Sequence, residues 1–131
     1  MLAGVTHFSR LSKVVIDIAP ADHDREVAFW QAATGLPLTR FERYPEYHGV
    51  GLNGVDFSLL TQHLGSGPSR VHLDIHTDDL DAEVARLEHL GAERVQRIQA
   101  WQLMRDPAGL VFCVVPDPPG TLNEGNAHRW E

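Results

Sequence analysis

The sequence answers to itself at a fixed offset. Val15-Ile16-Asp17-Ile18 followed by Asp24-Arg25-Glu26-Val27-Ala28 returns as His72-Leu73-Asp74-Ile75 followed by Asp81-Ala82-Glu83-Val84-Ala85, and the matched positions lie 57 residues apart (17 to 74, 24 to 81). Each copy reads as an apolar strand, a turn and an amphipathic helix closed by a glycine, Gly35 or Gly91. Such a period restricts the chain to two like modules, each too small to bury a sufficient core alone, and the cleft where modules meet is a natural ligand site. The copies differ at one chemically telling place: His72 stands where the first copy has Val15.

Around that frame the punctuation is clear. Ser12 to Ile18 reads as a strand, Pro20-Ala21-Asp22 as a turn, and Asp22 or Asp24 as the cap of a helix whose Val27, Ala28, Trp30 and Ala33 share one face. Strands follow at Pro37 to Phe41, Val50 to Leu52 and Val55 to Gln62, with a loop at Tyr44 to His48 and a hairpin at Asn53-Gly54. Gly65-Ser66-Gly67-Pro68-Ser69 reads as a linker. The second copy then gives a strand from Arg70 to His76 and a helix capped by Asp78 or Asp79, burying Leu80, Val84, Leu87 and Leu90. Its remaining strands are Arg94 to Ile98, Trp101 to Met104 and Leu110 to Val115, with a turn at Asp106-Pro107-Ala108-Gly109. The expected fold is α+β in a single domain: two βαβββ modules at about 11–64 and 70–117, joined by 65–69, their curved mixed sheets around a cavity and their helices outside. Residues 118–131 read as a loosely held polar tail.

Charge and composition then remove whole classes of function. With 11 basic against 18 acidic residues the formal charge is −7, which opposes a nucleic-acid partner. The one cysteine, Cys113, excludes an intramolecular disulfide and a zinc site built from cysteines. No run reaches the roughly 20 apolar residues of a membrane helix. Met1 to Arg10 lacks the charged start and apolar core of a secretory signal, so a cytoplasmic protein is expected.

Strand alternation sorts the chemistry-bearing residues. Val71, Leu73 and Ile75 fall on one face, expected to pack on a helix, while His72, Asp74 and His76 fall on the other. In the first copy Val14, Ile16 and Ile18 oppose Val15, Asp17 and Ala19. Asp17 and Asp74, on strands near a pseudo-twofold axis, are candidates for acid–base work if they share a proton. Held by Arg70, Trp101 or backbone amides, they are structural instead. His72 is either a ligand-contacting residue or an imidazole bonded to one of these acids. His72 and His76 with Asp74 between them have the spacing of a nonstandard metal pair. Trp101 and Tyr47 are candidates to stack on a ligand, His76 is a candidate ligand contact, and Cys113 is either a small buried hydrophobe or a contact residue.

Three segments resemble the vicinal oxygen chelate superfamily of glyoxalases, bleomycin-resistance proteins and extradiol dioxygenases: Asp17 with the Phe29-Trp30 helix and Gly35; Arg70-Val71-His72-Leu73-Asp74 with Asp78-Asp79-Leu80-Asp81; and Asp106-Pro107-Ala108-Gly109 with Phe112-Cys113. The resemblance implies paired βαβββ modules, a homodimer, and metal ligands on the first and last strands of each module. His72 occupies the position of one such ligand. Val15, Cys113 and either Ser58 or Leu60 occupy the other three. The sequence names no cofactor, and a divalent metal ion enters only through this resemblance. The function expected is binding of a small organic molecule, with three forms open: acid–base catalysis by Asp17, Asp74 or His72 as a lyase or isomerase; noncatalytic binding like a drug-resistance protein; or a metal-dependent lyase or dioxygenase.

Overall fold

The computed structural model describes residues 6–52 and 54–131. Contacts divide the chain into two compact units, one of Lys13–His72 and one joining Leu73–Glu131 to the N-terminal residues through Ser12. It is an α+β protein of mixed strand pairing, with two α-helices among the described residues.

In the first unit, β1 (His7–Ile18) contributes Lys13 onward, and is followed by a 3-10 turn (Pro20–Asp22), α1 (His23–Thr34), β2 (Thr39–Arg40), β3 (Tyr47–Gly51) and β4 (Ser58–His63). The sheet order is β2-β3-β4-β1, with β1 parallel to β4 and the other pairs antiparallel. Ile18, Val27 and Leu38 form its core, with Ile16, Trp30, Val50 and Leu59 packed around them. The helix face is narrower than expected: Val27 and Trp30 turn inward, but Ala28 and Ala33 are exposed. Asp22 is the N-cap residue, yet its carboxylate binds Arg25 rather than a backbone amide. Gly35 ends α1 at φ 72°, a left-handed conformation that its missing side chain makes cheap.

The strand expected at 37–41 shrinks to Thr39–Arg40, because Leu38 turns into the core and its amide bonds the Gln31 side chain. Tyr47 and His48 lie on β3 rather than in a loop, since the chain turns earlier, where the Tyr47 amide bonds the Tyr44 carbonyl. Asn53 of the expected hairpin lies outside the described residues; Gly54 beside it has φ 78°. At Gly49 a Cβ would stand 2.8 Å from Phe41 Cε1 and 3.1 Å from Leu60 Cδ1. Gly49→Ala is therefore expected to push Phe41 out of place and cost about 1–3 kcal/mol in urea unfolding. An unchanged midpoint would show that the ring moves without cost.

The second unit holds β5 (Arg70–Thr77) from Leu73 onward, α2 (Leu80–His89), β6 (Glu93–Ile98), β7 (Trp101–Arg105), β8 (Val111–Pro116) and β9 (His128–Trp130). Its order is β5-β8-β7-β6, with β5 parallel to β8 and the rest antiparallel. Asp79 caps α2 by accepting the Ala82 amide at 3.0 Å. Val84, Leu87, Met104 and Val114 make the core, joined by Ile75, Leu80, Ala92 and Phe112. Leu90 stays exposed, and so do Val71 and Leu73, which alternation had assigned to a helix. The helix packs chiefly on β6, β7 and β8, and Ile75 is the β5 side chain that joins its core.

The residues read as a loose tail instead carry β9, which pairs with His7 to Ser9 of β1. Trp130 fixes it: its indole Nε1 donates to Ser9 Oγ at 2.9 Å, and the Arg86 guanidinium lies 3.7 Å from its ring centre. Among the described residues no helix is long and apolar enough to cross a membrane.

Candidate functional site

In the first unit the strand register builds a polar row on the sheet face turned away from α1. Asp17 on β1 pairs with Gln62 on β4, and Gln62 pairs with Tyr47 on β3, so the three side chains line up on one face. The next row is Val15, Leu60 and Gly49, with Phe41 against the glycine. Phe41 stacks on Tyr47 with ring centres 6.3 Å apart, and Tyr44 meets Tyr47 edge-on at 6.4 Å.

Asp17 is only 1% exposed, and what holds it is specific. Its Oδ2 accepts a hydrogen bond from His72 Nδ1 at 2.6 Å and a longer one from Arg70 Nε at 3.3 Å. An ionised carboxylate can only accept, so the His72 proton sits on Nδ1 and Nε2 becomes the basic nitrogen of the ring. His72 is itself buried. This is an oriented Asp–His pair, and the Arg70 contact weighed from the sequence is present beside it.

In the second unit Asp74 lies on the sheet face opposite α2. Asp74 pairs with Cys113 and Cys113 with Leu103, while Trp101, two residues before Leu103, shares that face. Asp74 and Cys113 are buried and Trp101 is half-buried. His76 is buried as well, and its Nδ1 is bound to Asp117 Oδ1 at 2.8 Å. That bond ties His76 to the segment following β8.

Strand β5 is continuous through these residues, so His72 and Asp74, two apart, point the same way. The residues named for a metal, His72, Asp74 and Cys113, offer one imidazole, one carboxylate and one thiol. The set does not fit the ion implied by the resemblance. One imidazole, one carboxylate and one soft sulfur do not suit a hard cation that prefers an octahedral shell of oxygens. Val15, where the resemblance implies a ligand, is a buried hydrophobic side chain, and neither Ser58 nor Leu60, the two candidates for a second implied ligand, is acidic.

Of the residues singled out from the sequence, the structure joins Asp17 to His72 and pairs Asp74 with Cys113. Trp101 shares the face of Asp74 and Cys113, and Tyr47 shares that of Asp17. The sequence reading missed Gln62, Phe41 and Asp117. Gln62 was open to the same alternation that found Asp17; Phe41 and Asp117 lie outside regular strands and carried no such signal.

A family profile described as a glyoxalase-like domain matches residues 13–115, most of the chain. The chain belongs to the glyoxalase-like domain family. Its fold is that of the vicinal oxygen chelate superfamily, as three comparisons illustrate. Methylmalonyl-CoA epimerase from Mycobacterium tuberculosis is 20% identical with a TM-score of 0.55, over 82% of this chain and 88% of that one. The Streptomyces coelicolor methylmalonyl-CoA epimerase in complex with 2-nitronate-propionyl-CoA is 17% identical with a TM-score of 0.58, over 84% and 98%. The 2,2',3-trihydroxybiphenyl 1,2-dioxygenase of Sphingomonas wittichii strain RW1 is 17% identical with a TM-score of 0.55, over 84% of this chain and 41% of that one. No curated protein sequence matches the glyoxalase-like chain.

Proposed function

We propose that this glyoxalase-like protein binds a small organic molecule against the polar sheet faces that carry Asp17, His72 and Asp74, and that His72 moves a proton to or from it. In this reading the two strand–helix–three-strand runs are copies of one module, and the protein is a lyase or isomerase working by acid–base chemistry. The observation that carries it is the 2.6 Å bond between Asp17 and His72, both buried. A carboxylate on Nδ1 fixes the ring, raises the basicity of Nε2 and stabilises the imidazolium formed when Nε2 takes a proton. Asp17 Oδ1, also buried, has no hydrogen-bond partner among the described residues and is available to a ligand donor. The similarity to epimerases that handle CoA esters supports proton transfer on a small carbonyl compound. Because Val15, and Ser58 or Leu60, stand where the resemblance implies ligands, no step of this chemistry is assigned to a metal ion.

The aromatic group of Phe41, Tyr44 and Tyr47 on the Asp17 side favours a second reading, noncatalytic capture of a flat or cationic molecule. One experiment separates the two. Small carboxylic acids, hydroxy- and ketoacids and thioesters are screened by ligand-observed NMR in heavy water, reading binding and deuterium uptake at carbon together. Uptake catalysed by the protein is the expected result. Binding without uptake would replace the enzyme by the binder, and a panel with no binding would end both.

A further inference from the structure

Three histidines of the first unit gather away from the Asp17 row, on the helix side of the sheet. His23 opens α1, His48 lies on β3 and His63 ends β4. His48 pairs with Thr61, and His63 is two residues beyond Thr61, so both rings share one face. The ring centres of His23 and His48 are 5.0 Å apart, and those of His23 and His63 4.7 Å. Two imidazoles on one tetrahedral ion, at metal–nitrogen distances near 2.0–2.1 Å, place their ring centres about 5 Å apart.

The hydrogen-bond inventory points the same way. His23 Nε2, His48 Nδ1 and Thr61 Oγ1 are all buried, and none has a hydrogen-bond partner among the described residues. A buried polar atom left unpaired costs about 1–3 kcal/mol, so three in one place call for an explanation. The other nitrogen of His23 is already engaged: Nδ1 bonds Asp24 Oδ1 at 3.0 Å. A carboxylate on one ring nitrogen with the other turned inward is the usual arrangement of a metal-ligating histidine. Two charges of opposite sign lie alongside, Asp24 at His23 and Arg40 directly across from His48.

We propose that His23, His48 and His63 bind one borderline divalent ion of the zinc, nickel and copper class, with Thr61 Oγ1 beside its open position. Imidazole ligands suit these ions, whereas calcium and magnesium require oxygen. Binding requires the rings to turn until their nitrogens converge; exposed His63 has room to do so. The site is separate from the Asp17–His72 pair, and its failure would leave the proposed function untouched.

The test is titration of the purified full chain with Zn2+ by calorimetry, and with Co2+ by visible absorption. The expected result is one ion per chain, with the intense visible band of tetrahedral cobalt. His63→Gln, an exposed change that spares the fold, and His48→Gln are expected to abolish it. Asp24→Asn is expected to weaken it by about 10–100-fold by removing the support of His23. His72→Gln is expected to leave it intact. Zn2+ should also raise the melting temperature of the parent chain but not of the His63→Gln variant. Absence of binding, binding that survives His63→Gln and His48→Gln, or binding lost with His72→Gln instead would each overturn the proposal.

Discussion

Replacing Glu83 by alanine is expected to remove about 3–5 kcal/mol of folding stability, enough to leave a domain of ordinary stability barely folded. Glu83 is a charged side chain with no exposure at all, on the inner face of α2. Arg86 binds it through two bonds of 2.7 and 2.8 Å, and His7 Nε2 binds it at 2.8 Å. Through His7 and Ser9 the network reaches the start of β1, and through Arg86 and Ser9 it reaches Trp130 on β9. Truncation leaves Arg86 and His7 without their acid and loosens both ends of the chain at once.

The same residue gives a pH signature of known sign. Burial opposes ionisation of Glu83, but hydrogen bonds from Arg86, His7 and Ser9 and the nearby Arg86 charge outweigh it, so its pKa lies below the usual glutamate value. A carboxyl depressed in the folded state adds stability in full above its unfolded pKa, about 4.3, and loses it as pH falls through the folded value. Urea unfolding from pH 7 to 2 should show the parent losing stability below about pH 4.3 and Glu83→Gln losing less, the two converging in acid. Parallel curves for the parent and the glutamine variant would refute the assignment, and a small loss in Glu83→Ala would show that the network is dispensable.

Asp17→Asn is expected to lower the proton-transfer rate by about 10²–10⁴-fold. An amide cannot supply the negative charge that stabilises a protonated His72, and its NH2 group can turn the ring into the wrong tautomer. His72→Gln should give a loss of similar size. The double variant should lose little more, because the pair acts as one unit. A thermal melt of Asp17→Asn accompanies the assay: Arg70 is half exposed and water can replace its lost partner, so the fold should survive. Near-parental exchange in Asp17→Asn would remove the pair from the mechanism.

Much of this architecture could be read one residue at a time. The 57-residue offset, the glycine that ends α1 and the alternation along β5 give the strand and helix order and the polar set of His72, Asp74 and His76. Local rules failed where a long-range partner competed. Asp22 satisfied Arg25 instead of the helix amides, Leu38 left its strand for the core, and Val71 and Leu73 stayed in solvent because α2 lies over β6 to β8. The polar C-terminal residues became β9 because Ser9 and Arg86, far away in sequence, hold Trp130.

By itself the sequence determined which side chains share a face, because the two-residue period of a strand and the turn residues that bound it are local properties of the chain. Which of them touch was decided only in three dimensions. The Asp17–His72 bond spans 55 positions and the His7–Glu83 bond 76, and both depend on strand register and on where a helix comes to rest. Side-chain distances of this kind are set by packing the whole chain, and no local pattern encodes them.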